Sequence, residues 1–332
     1  MFKQRDAAIF LTLLVLTFNL ACGGAGVGPA NVGTANSNSA GGAGSQASRQ
    51  AGWPEGSARP RAAQRFEPGF NLFEPAQDIE FGKQVSEQMT RDVKLVEDQA
   101  IVNYVRALGA RLAAQAPGHA FPYEFQVLAS REINAFALPG GKIYICGGAI
   151  EAARSEGELA GIIAHEIAHV ALRHGTNQAS KAYLAQMGLD ALSGLAGQAA
   201  PEVGELISAI GGAGANLVFL KFGRDAESEA DIEGAAIMAA AGYDPSDMAN
   251  FFELLQDKGS AVDEFFSDHP NPSNRMVAIV EAARTIPVAP NPIRTSEEFK
   301  QTKTQVAAMA ESWPRELTIK IEERSGRRAR QR

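Results

Sequence analysis

Two apolar series at helical spacing open the folded part of the chain. Ile79, Val85, Met89 and Val93 form the first; Ile101, Tyr104, Val105, Leu108 and Leu112 form the second. They predict two helices broken near Lys94–Asp98. The period then shortens to two, with Tyr123, Phe125 and Val127 alternating against polar neighbours. Two further β-type runs, Ile133–Leu138 and Lys142–Cys146, flank Pro139-Gly140-Gly141 and predict a hairpin. Ser155 with Glu158 three residues on is a capping box, so a helix begins at about Glu156. Gly175 is its expected stop. Its stretch GIIAHEIAHVAL is apolar all round, which predicts burial on every side. Residues 180–222 are helical in pattern but rich in Gly and Ala. The apolar run Leu206–Leu220 is too short to span a bilayer and reads as a buried or membrane-touching hairpin. Further helices are predicted over about 225–241, 245–258 and 272–284. The sum is an α+β fold, mostly helical, with a small antiparallel sheet.

The N-terminus has a different character. Lys3 and Arg5 precede an apolar run from Ala7 to Phe18, the pattern of a signal peptide over residues 1–21. Leu20-Ala21-Cys22-Gly23 resembles the lipobox of bacterial lipoproteins, although Asn19 departs from that pattern. The resemblance implies a lipid on Cys22. From Gly23 to about Arg65 the chain is Gly-, Ala-, Ser- and Asn-rich and too poor in bulky apolar residues to repay its ordering entropy. As a flexible coil it reaches roughly 35 Å. The expected organisation is therefore a leader (1–21), a lipidated tether (22–69), a folded domain (70–290) and a C-terminal helix with a basic tail (291–332). Cys146, with no partner if Cys22 carries lipid, is expected as a small buried hydrophobe in a strand.

With 45% hydrophobic residues the chain can build a substantial core, and its net charge of −7 argues against a nucleic-acid surface. The basic run Arg324–Arg332 reads as a solvated tail.

Three of the chain's five histidines fall between residues 165 and 174. On a helix His165 and His169 are about 40° apart, so two imidazoles on one face can share a metal ion. Glu166 lies close enough to act as a general base without ligating, the H-E-x-x-H arrangement. His174 lies about 900° beyond His165 on a continuing helix, on the opposite face. It is expected to cap the helix end. A third ligand is sought in the acidic run 223–231. There Glu227 and Asp231 share a face, so Glu227 can ligate while Asp231 braces a histidine, and Glu229 faces away. The residues alone leave a solvated charged helix equally open.

HEIAH followed by Arg224-x-x-Glu227-x-x-Ala230-Asp231 resembles the zinc peptidase family of HtpX, the CAAX prenyl endopeptidases and the BepA-type proteases. Asn134 to Gly141, and His269-Pro270 with Arg275, match further family segments in the same order. The likeness spans about residues 75–285. It implies a zincin-like fold with one Zn²⁺ per chain on His165, His169 and Glu227, and Glu166 as the catalytic base. His269 is implied as an oxyanion donor, with a fourth ligand that keeps the enzyme latent, or a loop residue ordered by Arg275, as open alternatives. The long hydrophobic insertions of integral-membrane members are missing, which implies an anchored, soluble branch.

The expected activity is zinc-dependent endoproteolysis of unfolded or misassembled cell-envelope polypeptides. The substrate would pair along the strand that carries Asn134, Ala135 and Phe136. The alternative is a metal-containing assembly factor with little proteolysis. The expected location is the bacterial envelope, lipid-anchored and periplasm-facing, at the outer membrane by the lipoprotein sorting rule for Gly23.

Overall fold

The apolar series become two helices: α1 (Pro75–Met89), opened by a proline, and α2 (Gln99–Ala113). The Asp98 side chain caps α2, accepting from the Ala100 and Ile101 N–H groups at 2.9 and 3.2 Å. The structure is a computed structural model that describes residues 66–187, 222–257, 269, 275–315 and 317. The leader, Cys22, the tether as far as residue 65, the apolar run 206–220 and the basic tail lie outside the described residues.

Strands β1 (Glu124–Leu128), β2 (Ala135–Leu138) and β3 (Lys142–Cys146) form one sheet in the order β1-β3-β2. The β2–β3 hairpin is antiparallel, as its turn residues imply, with Gly140 and Gly141 at φ 77° and 109°. The small sheet is mixed: the hairpin is antiparallel as expected, and β1 adds to it in parallel with β3, from Glu124↔Lys142 to Leu128↔Cys146. The chain leaves β1 and crosses the sheet before entering the hairpin, so β3 returns between β1 and β2. Alternation of side chains then divides the sheet between two clusters. Phe125, Val127, Ile143 and Ile145 face α2 and the central helix; Phe136, Leu138, Tyr144 and Cys146 face Phe81, Val85 and Met89 of α1. Cys146 is buried at the end of β3, as expected.

After the short α3 (Gly147–Ala152) comes α4 (Glu156–Ala171), with the Ser155 hydroxyl accepting from the Glu158 N–H at 3.1 Å. Every residue of α4 is buried, which its all-round apolar pattern predicted. Helices α5 (His174–Met187), α6 (Arg224–Ala241), α7 (Ser246–Asp257), α8 (Arg275–Thr285) and α9 (Glu297–Ala310) follow. Helix α4 does not run to Gly175. It ends at Ala171, and Arg173, at φ 57°, turns the chain into α5. A left-handed non-glycine residue is uncommon. Here the Arg173 side chain is fixed by Asp78 of α1, with its Nε donating at 2.7 Å. Among the described residues no helix is long and apolar enough to cross a membrane.

Helix α1 reaches the hairpin turn through Gly82, where an added Cβ would stand 1.8 Å from the Pro139 carbonyl oxygen. Gly82→Ala must push α1 off the turn. The expected cost is about 1–3 kcal/mol, against less than about 0.5 kcal/mol for exposed Lys83→Ala, compared by urea denaturation midpoints.

Candidate metal centre

His165 and His169, one turn apart, project from α4 in the same direction, and both are buried. Helix α6 comes close enough to meet them because of Gly234, whose added Cβ would lie 3.1 Å from the His165 backbone nitrogen. That contact delivers Glu227 and Asp231, the i,i+4 pair of α6, onto the imidazoles. Glu227 Oε2 lies 3.5 Å from His165 Nε2, and its Oε1 lies 3.4 Å from His169 Nε2. Asp231 Oδ1 sits 3.0 Å from Nδ1 on the other side of the His165 ring. His269 completes the group, its Nδ1 3.3 Å from His165 Nε2 and 3.1 Å from Glu227 Oε1.

One nitrogen or oxygen from each of His165, His169, Glu227 and His269 lies within 4.8 Å of all the others, and all four residues are buried. His165 Nε2 and His169 Nε2 are only 3.0 Å apart. Ring nitrogens gathered this closely around a carboxylate oppose lone pair to lone pair unless a proton or a cation sits among them. Imidazole and carboxylate are also the donor set that suits a borderline divalent transition metal. The residues present fit a metal ion.

Electrostatics point the same way. Burial opposes charge on His165, yet its bonds to Asp231 and Glu227 carry its pKa up to about 9. Burial prevails at His169 and holds it well below the usual histidine range. Burial pushes Glu227 upward, but His269 and the hydrogen-bonded imidazoles outweigh it and keep the carboxyl well below its ordinary value. His269 is raised, with Glu227 and Glu166 overcoming its burial. The pocket thus collects positive charge around an ionised Glu227, and a divalent ion entering it would displace protons. Glu166 is fully buried beside the group, with Oε1 3.5 Å from His269 Nε2.

Three contacts at this site were not anticipated. Arg275 of α8 donates from Nε and Nη2 to both oxygens of Asp231 at 2.7 Å, and its Nη1 lies 3.0 Å from Glu227 Oε2. Its guanidinium also lies 4.4 Å from the Phe252 ring centroid. Phe222, just before α6, stacks on the His169 ring at 4.0 Å and 17°. Neither residue carries a periodic or spacing signal that names its partner.

The third contact is a correction. His174 does not cap α4, because the left-handed Arg173 ends that helix before the half-turn that would have carried His174 to the far face. His174 is instead the first residue of α5, with its Nδ1 2.8 Å from His169 Nδ1 and its Nε2 3.1 Å from Glu229 Oε2. Glu229 is not one of the four clustered residues and, among the described residues, touches the group only through His174.

The expected substrate-strand residues are placed differently from the cluster. Asn134 is buried, and its Oδ1 accepts from the Ala135 N–H at 2.8 Å. Ala135 is packed in the core, and Phe136 stacks on Tyr144 at 5.3 Å. These side chains are committed to the fold, and β2, at the end of the described strand order, is buried along its whole length.

Removing the guanidinium would strand two buried carboxylates. Arg275→Met is expected to cost about 3–5 kcal/mol in chelator-treated protein. Asp231→Asn added to that variant should recover part of the loss, read from chemical denaturation curves.

The sequence pattern of peptidase family M48 matches residues 100–283. Over 252 residues the chain is 30% identical to the beta-barrel assembly-enhancing protease of Escherichia coli, which covers 73% of this chain and 50% of that protein. It is 35% identical over 219 residues to the putative beta-barrel assembly-enhancing protease of Vibrio cholerae, covering 64% and 45%. It is also 29% identical over 177 residues to the metalloprotease LoiP of Escherichia coli, covering 53% and 66%. The chain spans about half the length of the assembly-enhancing proteases it matches. The matched span takes in His165, Glu166, His169, Glu227, His269 and Arg275, and runs over more than half of the sequence. This chain belongs to peptidase family M48.

Proposed function

We propose that this chain is a zinc-dependent endopeptidase acting on unfolded or misassembled polypeptides of the cell envelope. The observation that carries the reading is the buried convergence of His165, His169, Glu227 and His269 beside Glu166. His165, His169 and Glu227 would hold one Zn²⁺. Bound among them, the ion would supply Lewis-acid polarisation of water and of the scissile carbonyl. The Glu166 carboxylate takes a proton from the attacking water as the new C–O bond forms. It returns that proton to the amine nitrogen as the C–N bond breaks. Asp231 accepts the His165 Nδ1 proton and so keeps the Nε2 lone pair facing the cluster.

Substrate recognition is assigned to the main chain of β2. An extended peptide added at the sheet edge gains backbone hydrogen bonds and meets little demand for particular side chains. That chemistry suits chains that have lost their fold. Two relatives are named as β-barrel assembly-enhancing proteases, which supports an envelope substrate for this one. Anchorage through a lipid on Cys22, at the outer membrane, belongs to the same proposal and rests on the lipobox-like segment. A non-proteolytic assembly factor would have no use for a carboxylate at position 166.

His269 fits the role of fourth ligand better than that of oxyanion donor, because its Nδ1 already lies among the other donors. In that role it keeps the enzyme latent until it moves aside.

Zinc content and casein cleavage test these assignments on the purified chain. Glu227→Ala should lose zinc. Glu166→Gln should keep it and cleave about 10²–10⁴-fold more slowly. Unchanged cleavage in a fully loaded Glu166→Gln protein would remove the mechanism. His269→Ala should raise cleavage several-fold, whereas a fall would return His269 to the oxyanion role.

A further inference from the structure

We infer that His174 and Glu229 are positioning residues that hold His169 in register for the metal, an inference that rests on the ligand reading above. His169 directs Nε2 toward the cluster, 3.4 Å from Glu227 Oε1, and directs Nδ1 away from it onto His174 Nδ1 at 2.8 Å. An imidazole that offers a metal its Nε2 lone pair carries its proton on Nδ1. That proton is donated to His174, whose Nδ1 must therefore be the lone-pair nitrogen. The His174 proton then resides on Nε2, which donates to Glu229 Oε2 at 3.1 Å. Each bond fixes the tautomer of the next ring, so the chain runs in one sense only, from the metal-facing nitrogen to a carboxylate.

The two α4 imidazoles are thus braced in different ways. His165 rests directly on Asp231, which is itself sealed by Arg275. His169 is held through a second imidazole, and Phe222 lies flat against its face. The relay starts at His174, whose side chain is 6% exposed, and ends at Glu229, 38% exposed. A buried histidine that only filled space would not need an acceptor aimed at a ligand nitrogen and a donor aimed at a carboxylate. The left-handed Arg173 creates this geometry by folding residue 174 back over the helix it has just left.

Zinc affinity, measured by competition with a chromogenic chelator, tests the relay without reference to catalysis. His174→Leu, which fills the space and removes the acceptor, should weaken zinc binding about 10–100-fold. His174→Asn places an amide oxygen near the lost Nδ1 lone pair and should restore affinity to within a few-fold. Glu229→Gln should weaken binding by a smaller factor, and that effect should vanish in the His174→Leu background, since Glu229 acts only through His174. Cobalt-substituted wild type and His174→Leu should differ in their visible absorption, reporting a turned ring. Wild-type affinity in His174→Leu, or equal losses in the Leu and Asn variants, would overturn the relay and leave the ligand assignment standing. A wild-type chain that binds no zinc would overturn both. If His174→Leu does not fold, Glu229→Leu, which removes the acceptor at a partly exposed position, carries the test, and wild-type affinity there overturns the relay.

Discussion

A single buried guanidinium holds the centre of this domain together. Arg275 binds both oxygens of Asp231, comes within ion-pair distance of Glu227 and covers one face of Phe252. Without it, two carboxylates on adjacent turns of α6 would face each other and the α4 imidazoles in a medium that solvates charge poorly. With it, α6 can lie against α4 at the close distance Gly234 permits, and the acidic and imidazole groups converge. The packing of α4, α6, α7 and α8 and the chemistry of the site therefore depend on the same contact.

The sequence reveals the helices and the imidazole pair for one physical reason: both are governed by short-range periodicity. The 3.6-residue repeat places α2 and α6 within a residue or two and finds α1 and α4, which end at Met89 and Ala171 before the apolar pattern does, and the four-residue gap puts His165 and His169 on one face. Glu227 shares a helix face with Asp231, and spacing alone does not separate a carboxylate that joins the imidazoles from a solvated acid. The errors arise where the chain changes direction. The parallel β1–β3 pairing depends on which way a connection crosses, and that is not encoded in strand pattern. His174 was assigned to the wrong face because the 100° rule was carried through Arg173, a residue whose side chain does not advertise a left-handed backbone. Arg275 and Phe222 act through tertiary contacts that no local pattern names.

The all-round burial of α4 has two causes that coincide. One side packs on the sheet and on α2, as any core helix would. The other side, carrying His165, Glu166 and His169, is closed off by α6 and by His269, so ionisable groups lie where water does not compete for them. The hairpin turn at Pro139–Gly141, held by α1, fixes edge strand β2 alongside the same helix. A helix apolar enough to be a core element thereby also carries a buried cluster of ionisable groups.

The left-handed residue at 173 also bears on how the domain assembles. His169 and His174 are separated by five positions, so their contact closes a very small loop and needs little beyond the α4–α5 corner. The Asp231–Arg275 pair spans 44 positions and the His165–His269 pair 104, so both wait for long segments to dock. Loop-closure entropy orders these events, with local contacts forming at lower cost than distant ones. One imidazole is thus oriented early by its own neighbourhood, while the carboxylates and the last histidine arrive with the tertiary fold. The four-residue cluster is complete only once the chain has finished folding, so its assembly marks arrival at the native topology.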